Sequence, residues 1–309
     1  MIPALLTTFL WSYCVIATRR SINQLGENQA NFARITLAAV SLGLMAHLFG
    51  LGLGGGGFLF FFLSGVVGFG FGDIGLFYAL PRLGSRLTLL MTQCLAAPIA
   101  GVTEWAWMGT RLSITQILAI AVILIGIIIA LAPGKLKHSG MRNFAIGIGF
   151  GLVAAFGQGW GGVLSRKAYM DAFAAGNWTE VNSVLESVIM GATSGYQRLI
   201  GGVLVIGSFY FLSLVVRSLR TAPRHPHDKE SRGKKFYFVF LTAASGPILG
   251  ITCFQWAMAT TPSAIVQSIV AMTPLVVMPM SWFLEGDRPG KRAIIGSVIS
   301  VVGVLLLAL

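Results

Sequence analysis

Of the few charged residues in this chain, Asp73 is the one placed to do chemistry inside an apolar run. It sits in the middle of GFGFGDIG, with no cation near it in sequence. A carboxylate held at membrane depth is costly, and such groups usually face a cavity or a partner. There it could carry a proton or a cationic substrate group; its plainer role is a helix–helix hydrogen bond. Arg34 and Arg198 fall early in two other apolar runs, at matching places in the two halves of the chain. They could anchor a substrate carboxylate. The competing reading has them reaching the interface or pairing with a loop acid. Glu104 stands beside Trp105 and Trp107 near the end of a run, which predicts an interfacial place. A set of aromatic and amide residues completes the site reading: Trp11, Tyr78, Gln93, Gln158, Trp160, Gln255, Trp256 and Gln267. A pocket for a small organic molecule needs aromatic walls and a few convergent polar groups. Amides in lipid must find protein or water partners. The aromatics could equally serve as interface belts or core packing.

Composition decides what surrounds these residues. The chain has 309 residues, 55% hydrophobic and 10% charged, with a mean hydropathy of +0.81. Soluble domains carry about 25% charged residues, so this chain belongs in a bilayer. Its long apolar runs point to helices, since lipid admits only helices or closed barrels. Ten spans are expected, at about 2–18, 30–51, 58–80, 86–108, 113–132, 143–164, 191–215, 236–259, 264–284 and 291–309. Arg19-Arg20 would stop the first, residues 81–85 would turn the chain, and residues 165–186 read as a polar loop. The three cysteines, Cys14, Cys94 and Cys253, lie inside apolar runs and read as reduced packing residues. The chain opens Met-Ile-Pro without a basic region, so no signal peptide is expected.

The third run recurs. GFGFGDIGLFYAL, from Gly68, overlays GPILGITCFQWAM, from Gly246, so that Gly68 meets Gly246, Gly72 meets Gly250 and Tyr78 meets Trp256. Further on, Gly109-Thr110-Arg111 meets Gly286-Asp287-Arg288, and Gly126 meets Gly303. The chain then divides into a first five-helix repeat (1–132), a basic connector (133–142) and a second repeat (143–309), which contains a solvated segment at 217–235. Five spans per repeat make the halves enter the membrane from opposite sides. The expected fold is all-α and integral to the membrane, with ten transmembrane helices as two inverted five-helix repeats around a central cavity. Odd-numbered connections hold most of the Lys and Arg, including seven in the segment 217–235, whereas even-numbered ones hold only Arg111, Arg166 and Lys167. The charge rule puts the odd connections in the cytoplasm and both termini outside. The net charge of +12 is explained by those connections meeting anionic lipid rather than nucleic acid.

Several stretches in order resemble one family: LLTTFLWSYCVIATRR, NFARITLAAV, LFYALPRLGS, WMGTRLS, FQWAMATTPSAIV, AMTPLVV and FLEGDRP. Together they look like the drug/metabolite transporter superfamily, specifically the EamA-type ten-helix transporters, over nearly the whole chain. The resemblance implies a carrier in the inner (plasma) membrane that moves small metabolites outward, often amino acids or related compounds. It also implies cytoplasmic termini, against the charge count. Two departures stand out: Thr110 and Asp287 occupy places where the family usually has Glu, and residues 168–186 form a longer link than usual.

The expected function is therefore a secondary active transporter working by alternating access, with a multidrug or lipophilic-cation efflux carrier as the alternative. An intramembrane enzyme or a scaffold is the reading from another class. An enzyme needs a nucleophile with its base at membrane depth. Ser64, Ser194 and Ser245 each precede a glycine, but His47 is the only histidine in or near an apolar run, and there is no ATP-binding loop. No cofactor, catalytic residue or metal set is expected. The expected partners are a small-molecule substrate and the bilayer, with protons as a candidate coupling ion and a monomer or homodimer as the assembly.

Overall fold

Apolar sequence without internal hydrogen-bonding alternatives forms helix, and in lipid every backbone group must be paired within the segment. The computed structural model describes residues 1–131, 141–176, 178, 183–219, 232–285 and 290–308. The connector 132–140, the core of the solvated segment at 220–231, and Asp287 lie outside the described residues. The helices are α1 (Ile2–Leu25), α2 (Glu27–Phe49), α3 (Phe58–Gly65), α4 (Asp73–Met108), α5 (Ile114–Leu131), α6 (Met141–Ala174), α7 (Val184–Leu219), α8 (Arg232–Ala243), α9 (Leu249–Thr260), α10 (Ser263–Val270), α11 (Thr273–Glu285) and α12 (Lys291–Ala308). Two π-helical stretches, Val66–Gly72 and Ala244–Ile248, join α3 to α4 and α8 to α9. Eight stretches are long and apolar enough to cross a membrane. The shorter apolar α5 and the C-terminal α12 bring the spans to ten.

Three expectations about local structure need correction. Arg19-Arg20 does not stop the first helix; it runs on to Leu25 and ends at Gly26, whose φ of 77° suits only glycine. Helical backbone runs on through Pro81 and Pro98, but the chain does reverse after Leu83 as expected: α6 meets Gly68, Gly72 and Leu83 going from Gly161 back to Gly147, and meets Met91 and Ile99 going from Gly151 on to Gly159. A membrane helix tolerates proline when neighbouring groups satisfy the freed carbonyl. Residues 165–174 continue α6 rather than forming a loop, since Ser165, Ala168, Tyr169 and Ala172 present one buried face to the core. The ninth span is broken into α10 and α11 at Ala271-Met272.

Packing makes the inverted relation visible. Helix α5 lies antiparallel to α12: a Cβ on Gly126 would come 2.6 Å from the Gly296 carbonyl oxygen, while one on Gly303 would come 2.9 Å from the Ile123 nitrogen. The Ser300 hydroxyl donates to the Ile123 carbonyl across the same seam, at 3.1 Å. Helices α2 and α7 pair in the same sense, with Gly43 against Tyr196 and Phe32 stacked on Tyr210. Small residues let membrane helices approach closely, and here they join the corresponding helices of the two halves.

Each half also lends its first helix to the other. Helix α6 crosses the third span with Gly157 against Gly72 and Gly161 against Gly68. Helix α1 crosses the eighth span with Trp11 against Gly250 and Cys14 against Gly246. The repeated glycines recognised in the sequence are therefore the two points where the opposite half makes contact. Buried residues of both halves, among them Ile35, Phe61, Tyr169, Leu199, Phe254 and Ile269, form one core cluster.

The α5–α12 seam makes a direct test. Gly126→Leu forces a side chain into backbone of α12 and is expected to cost about 1–3 kcal/mol of stability. Gly149→Leu, where an added Cβ meets nothing within 4 Å, is the control. Thermal unfolding in detergent measures the difference, and equal midpoints for the two variants would contradict the seam.

Candidate functional site

The two π-helical stretches stand at repeat-equivalent places, around Gly68 and around Gly246. In the second, Pro247 has no N–H to give to a helical ladder. The wider turn accommodates it. A π-turn shifts the side chains that follow and is often found at functional sites. Both turns border one cavity of about 930 Å³, counting the part open to solvent. Its wall draws on both halves: Trp11, Thr18, Arg34, Phe69, Asp73, Phe77 and Gln93 from the first, and Gln158, Arg198, Pro247, Ile251 and Thr273 from the second.

Three charged side chains stand in that wall. Asp73 is ion-paired with Arg34, whose Nη2 donates to the Asp73 carboxylate. The Arg34 Nε donates to the Asn31 side-chain oxygen at 3.0 Å, and its guanidinium lies over the Phe77 ring at 5.0 Å. Arg198 is 4% exposed. Its Nη1 donates to the Gln255 side-chain oxygen at 3.2 Å, and its guanidinium lies between Phe69 and Phe254, 5.1 and 5.5 Å from their centroids. Among the described residues no carboxylate pairs with it, and its Nε has no hydrogen-bond partner. The two arginines are repeat mates with unequal partners. Arg34 lies over Phe77, and Gln255, which binds Arg198, is the residue that the repeat aligns with Phe77.

The other expected site residues separate into groups. Trp11, Gln93 and Gln158 line the cavity, and Trp11 stacks on Phe254 at 5.3 Å. Gln267 sits behind Gln158: its Nε2 donates to the Gln158 backbone oxygen at 2.8 Å, and the Gln158 Nε2 donates to the Gln267 side chain at 3.3 Å. Gln255 is fully buried behind Arg198. Tyr78 is outside the main cavity, where its hydroxyl donates to Asn28 at 3.2 Å and its ring meets Phe150 and Phe209. Trp256 is half-buried and does not line the cavity either.

Trp160 departs from the expectation that pairs it with Trp11. It is 44% exposed and outside the cavity wall. The residue that faces Gly72, as Trp11 faces Gly250, is Gly157. Trp160 follows three positions later, and three residues rotate a helix by about 300°. Glu104, near the end of α4, turns inward rather than toward solvent or headgroups: it is 2% exposed. Its Oε2 accepts from the Ser263 backbone N–H at 2.7 Å and from the Ser263 hydroxyl, at the N-terminus of α10. Nearby, Arg166 Nη1 donates to the carbonyls of Met258 and Ala259 at 3.0 and 2.7 Å, at the C-terminus of α9. An anion at a helix start and a cation at a helix end each complement the local dipole. The turn between α9 and α10 is thereby fastened to α4 and α6. This fastening lies at the membrane face where α4 ends. The cavity wall instead runs toward Thr18, Leu80 and Leu89, at the opposite face. Phe69, Phe77 and the Glu104–Ser263 contact were not singled out from the sequence. Phe69 and Phe77 look like any aromatic in an apolar run there.

The serines considered as nucleophiles spend their hydroxyls on packing. Ser64 donates to the Gly161 carbonyl at 2.5 Å and meets Ser165 at 2.9 Å, while Ser194 bonds Tyr169. His47 stacks edge-on against Tyr196 at 5.4 Å.

A ten-span helical membrane protein with a polar cavity between its halves defines a class, the membrane transporters of small molecules. The chain belongs to the EamA-like transporter family, whose model matches residues 1–132 and 145–309, and so to the drug/metabolite transporter superfamily. Among solved structures, one crystal structure covers 99% of this chain and 95% of its own, with a TM-score of 0.67 and 14% identity, and shares the fold. No curated protein sequence matches the chain.

The ion pair sets a testable cost. Breaking a buried pair by removing one partner costs about 3–5 kcal/mol, because the other charge is stranded. Asp73→Asn and Arg34→Gln are each expected to lower the unfolding midpoint in detergent sharply. The double variant is expected to recover much of the loss. Additive losses would show that the two side chains do not act as a pair.

Proposed function

We propose that the protein is a secondary active transporter that exports a small metabolite, an amino acid or a related compound, across the inner (plasma) membrane by alternating access. One observation carries this reading: a cavity walled by both halves of the chain and bordered by both π-turns. The repeats 1–132 and 143–309 are the proposed moving bodies, meeting at the cavity as inverted halves do in carriers. The charge rule assigns the face toward which the wall of the cavity runs to the cytoplasm. The Glu104–Ser263 and Arg166–Met258 contacts then close the outer face, and exchanging the two closures would deliver substrate outward. Such a cycle requires that ligand bind the two states with different affinity. A lipophilic-cation carrier finds less support, since the cavity's one carboxylate already holds Arg34.

Purified protein in proteoliposomes is expected to catalyse saturable counterflow of at least one amino acid or related carboxylate. Counterflow that never exceeds that of protein-free vesicles across such compounds would overturn the proposal. A single cysteine at Leu80, on a background lacking the native cysteines, is expected to react with an impermeant maleimide from the basic-loop face only. Saturating substrate should slow that reaction. Labelling from the opposite face alone would reverse the proposed access.

A further inference from the structure

The wall of the cavity carries an unequal charge count. Among the described residues its charged side chains are Arg34, Asp73 and Arg198, so these leave the site 2 − 1 = +1. Arg34 and Asp73 neutralise each other within hydrogen-bonding distance. The surplus is therefore lodged on Arg198, which is nearly inaccessible and uses one of its guanidinium donors on the neutral Gln255. A lone buried cation at membrane depth is costly, and the flanking Phe69 and Phe254 rings compensate only in part. Two further acceptors or donors near it are unmet: the Arg198 Nε and the Gln93 Oε1. A guanidinium is a planar fork that matches a carboxylate with two parallel hydrogen bonds.

We infer that Arg198 is a substrate-binding residue that receives the carboxylate of a monoanionic organic molecule, whose apolar body lies against Trp11, Phe69, Phe77 and Ile251. The inference rests on the carrier reading of the cavity and names its substrate class. One net positive charge selects a monoanion, so of the compounds proposed above it favours a related carboxylate that lacks an ammonium group over a zwitterionic amino acid; a dianion would leave an uncompensated charge in the bilayer, and a cation would meet a site already positive. The Arg34–Asp73 pair holds Asp73 away from competing as the counterion of Arg198.

The probes are 3-phenylpropionate, its isosteric amide 3-phenylpropanamide, and tetraphenylphosphonium, titrated calorimetrically against the purified protein. The acid is expected to bind at least tenfold more tightly than the amide, and the cation not to displace it. Arg198→Gln is expected to weaken acid binding at least tenfold while leaving the amide unchanged. Arg198→Lys, which keeps the charge without the fork, should fall between them. If Arg198→Gln does not fold, the acid–amide comparison in the native protein and the Lys variant decide the matter. Equal affinity for acid and amide, no binding of the acid, or unaltered acid binding in Arg198→Gln overturns the inference. Counterflow of the same compounds separates it from the carrier reading. Transport of the cation without the acid would leave a carrier with no anion site. Binding of the acid with no counterflow of any compound would leave an anion site in a protein that is not a carrier.

Discussion

A guanidinium cannot be left bare in a bilayer, and the middle of this molecule is arranged around two of them. Arg34 is answered by Asp73 across the gap between α2 and α4, and Arg198 by Gln255 and two aromatic rings. Because neither charge can slide into lipid, the helices that carry them have little freedom of rotation or register. Helix α2 must present Arg34 toward Asp73, and α7 must present Arg198 between Phe69 and Phe254. The cavity is what remains between these fixed positions.

The glycines and the π-turns serve the same arrangement. Close contact at Gly72 with Gly157 and at Gly250 with Trp11 brings each first helix against the third span of the other half. Those contacts tie the two repeats together at mid-depth. The π-turns break helical regularity beside the contacts, where an α-helical ladder would otherwise keep the wall uniform. The two halves agree in backbone plan and differ in side chains. Where one has glycine the other has tryptophan, and where one arginine has a carboxylate the other has an amide. Symmetry supplies the scaffold, and its local failures make the two sides of the cavity unlike.

On the carrier reading proposed above, the contacts around Glu104 would hold one end shut without a plug. Glu104 and Arg166 bind opposite ends of the α9–α10 turn through backbone groups that those helices leave unpaired. Such groups need a partner in any state, so other partners or water can replace these when the turn moves. A closure built on helix ends is therefore reversible at smaller cost than one built on a buried apolar seam such as α5–α12.

The amino-acid sequence by itself determined the solvent, the number of spans and the internal repeat. These follow from apolar length and from the order of breaks, both local properties of the chain. It also marked Asp73, since a charge in an apolar run is visible wherever it lies. It did not reveal that Asp73 answers Arg34, 39 positions away, or that Glu104 turns inward to meet Ser263. It misjudged residues 165–174, where polar residues look like a break but the surrounding helices cover them. Trp160 shows the limit most plainly, because its span was right and its direction was not. Each residue turns a helix by about 100°, so facing depends on packing between distant segments. Only the tertiary structure decided which side chains meet.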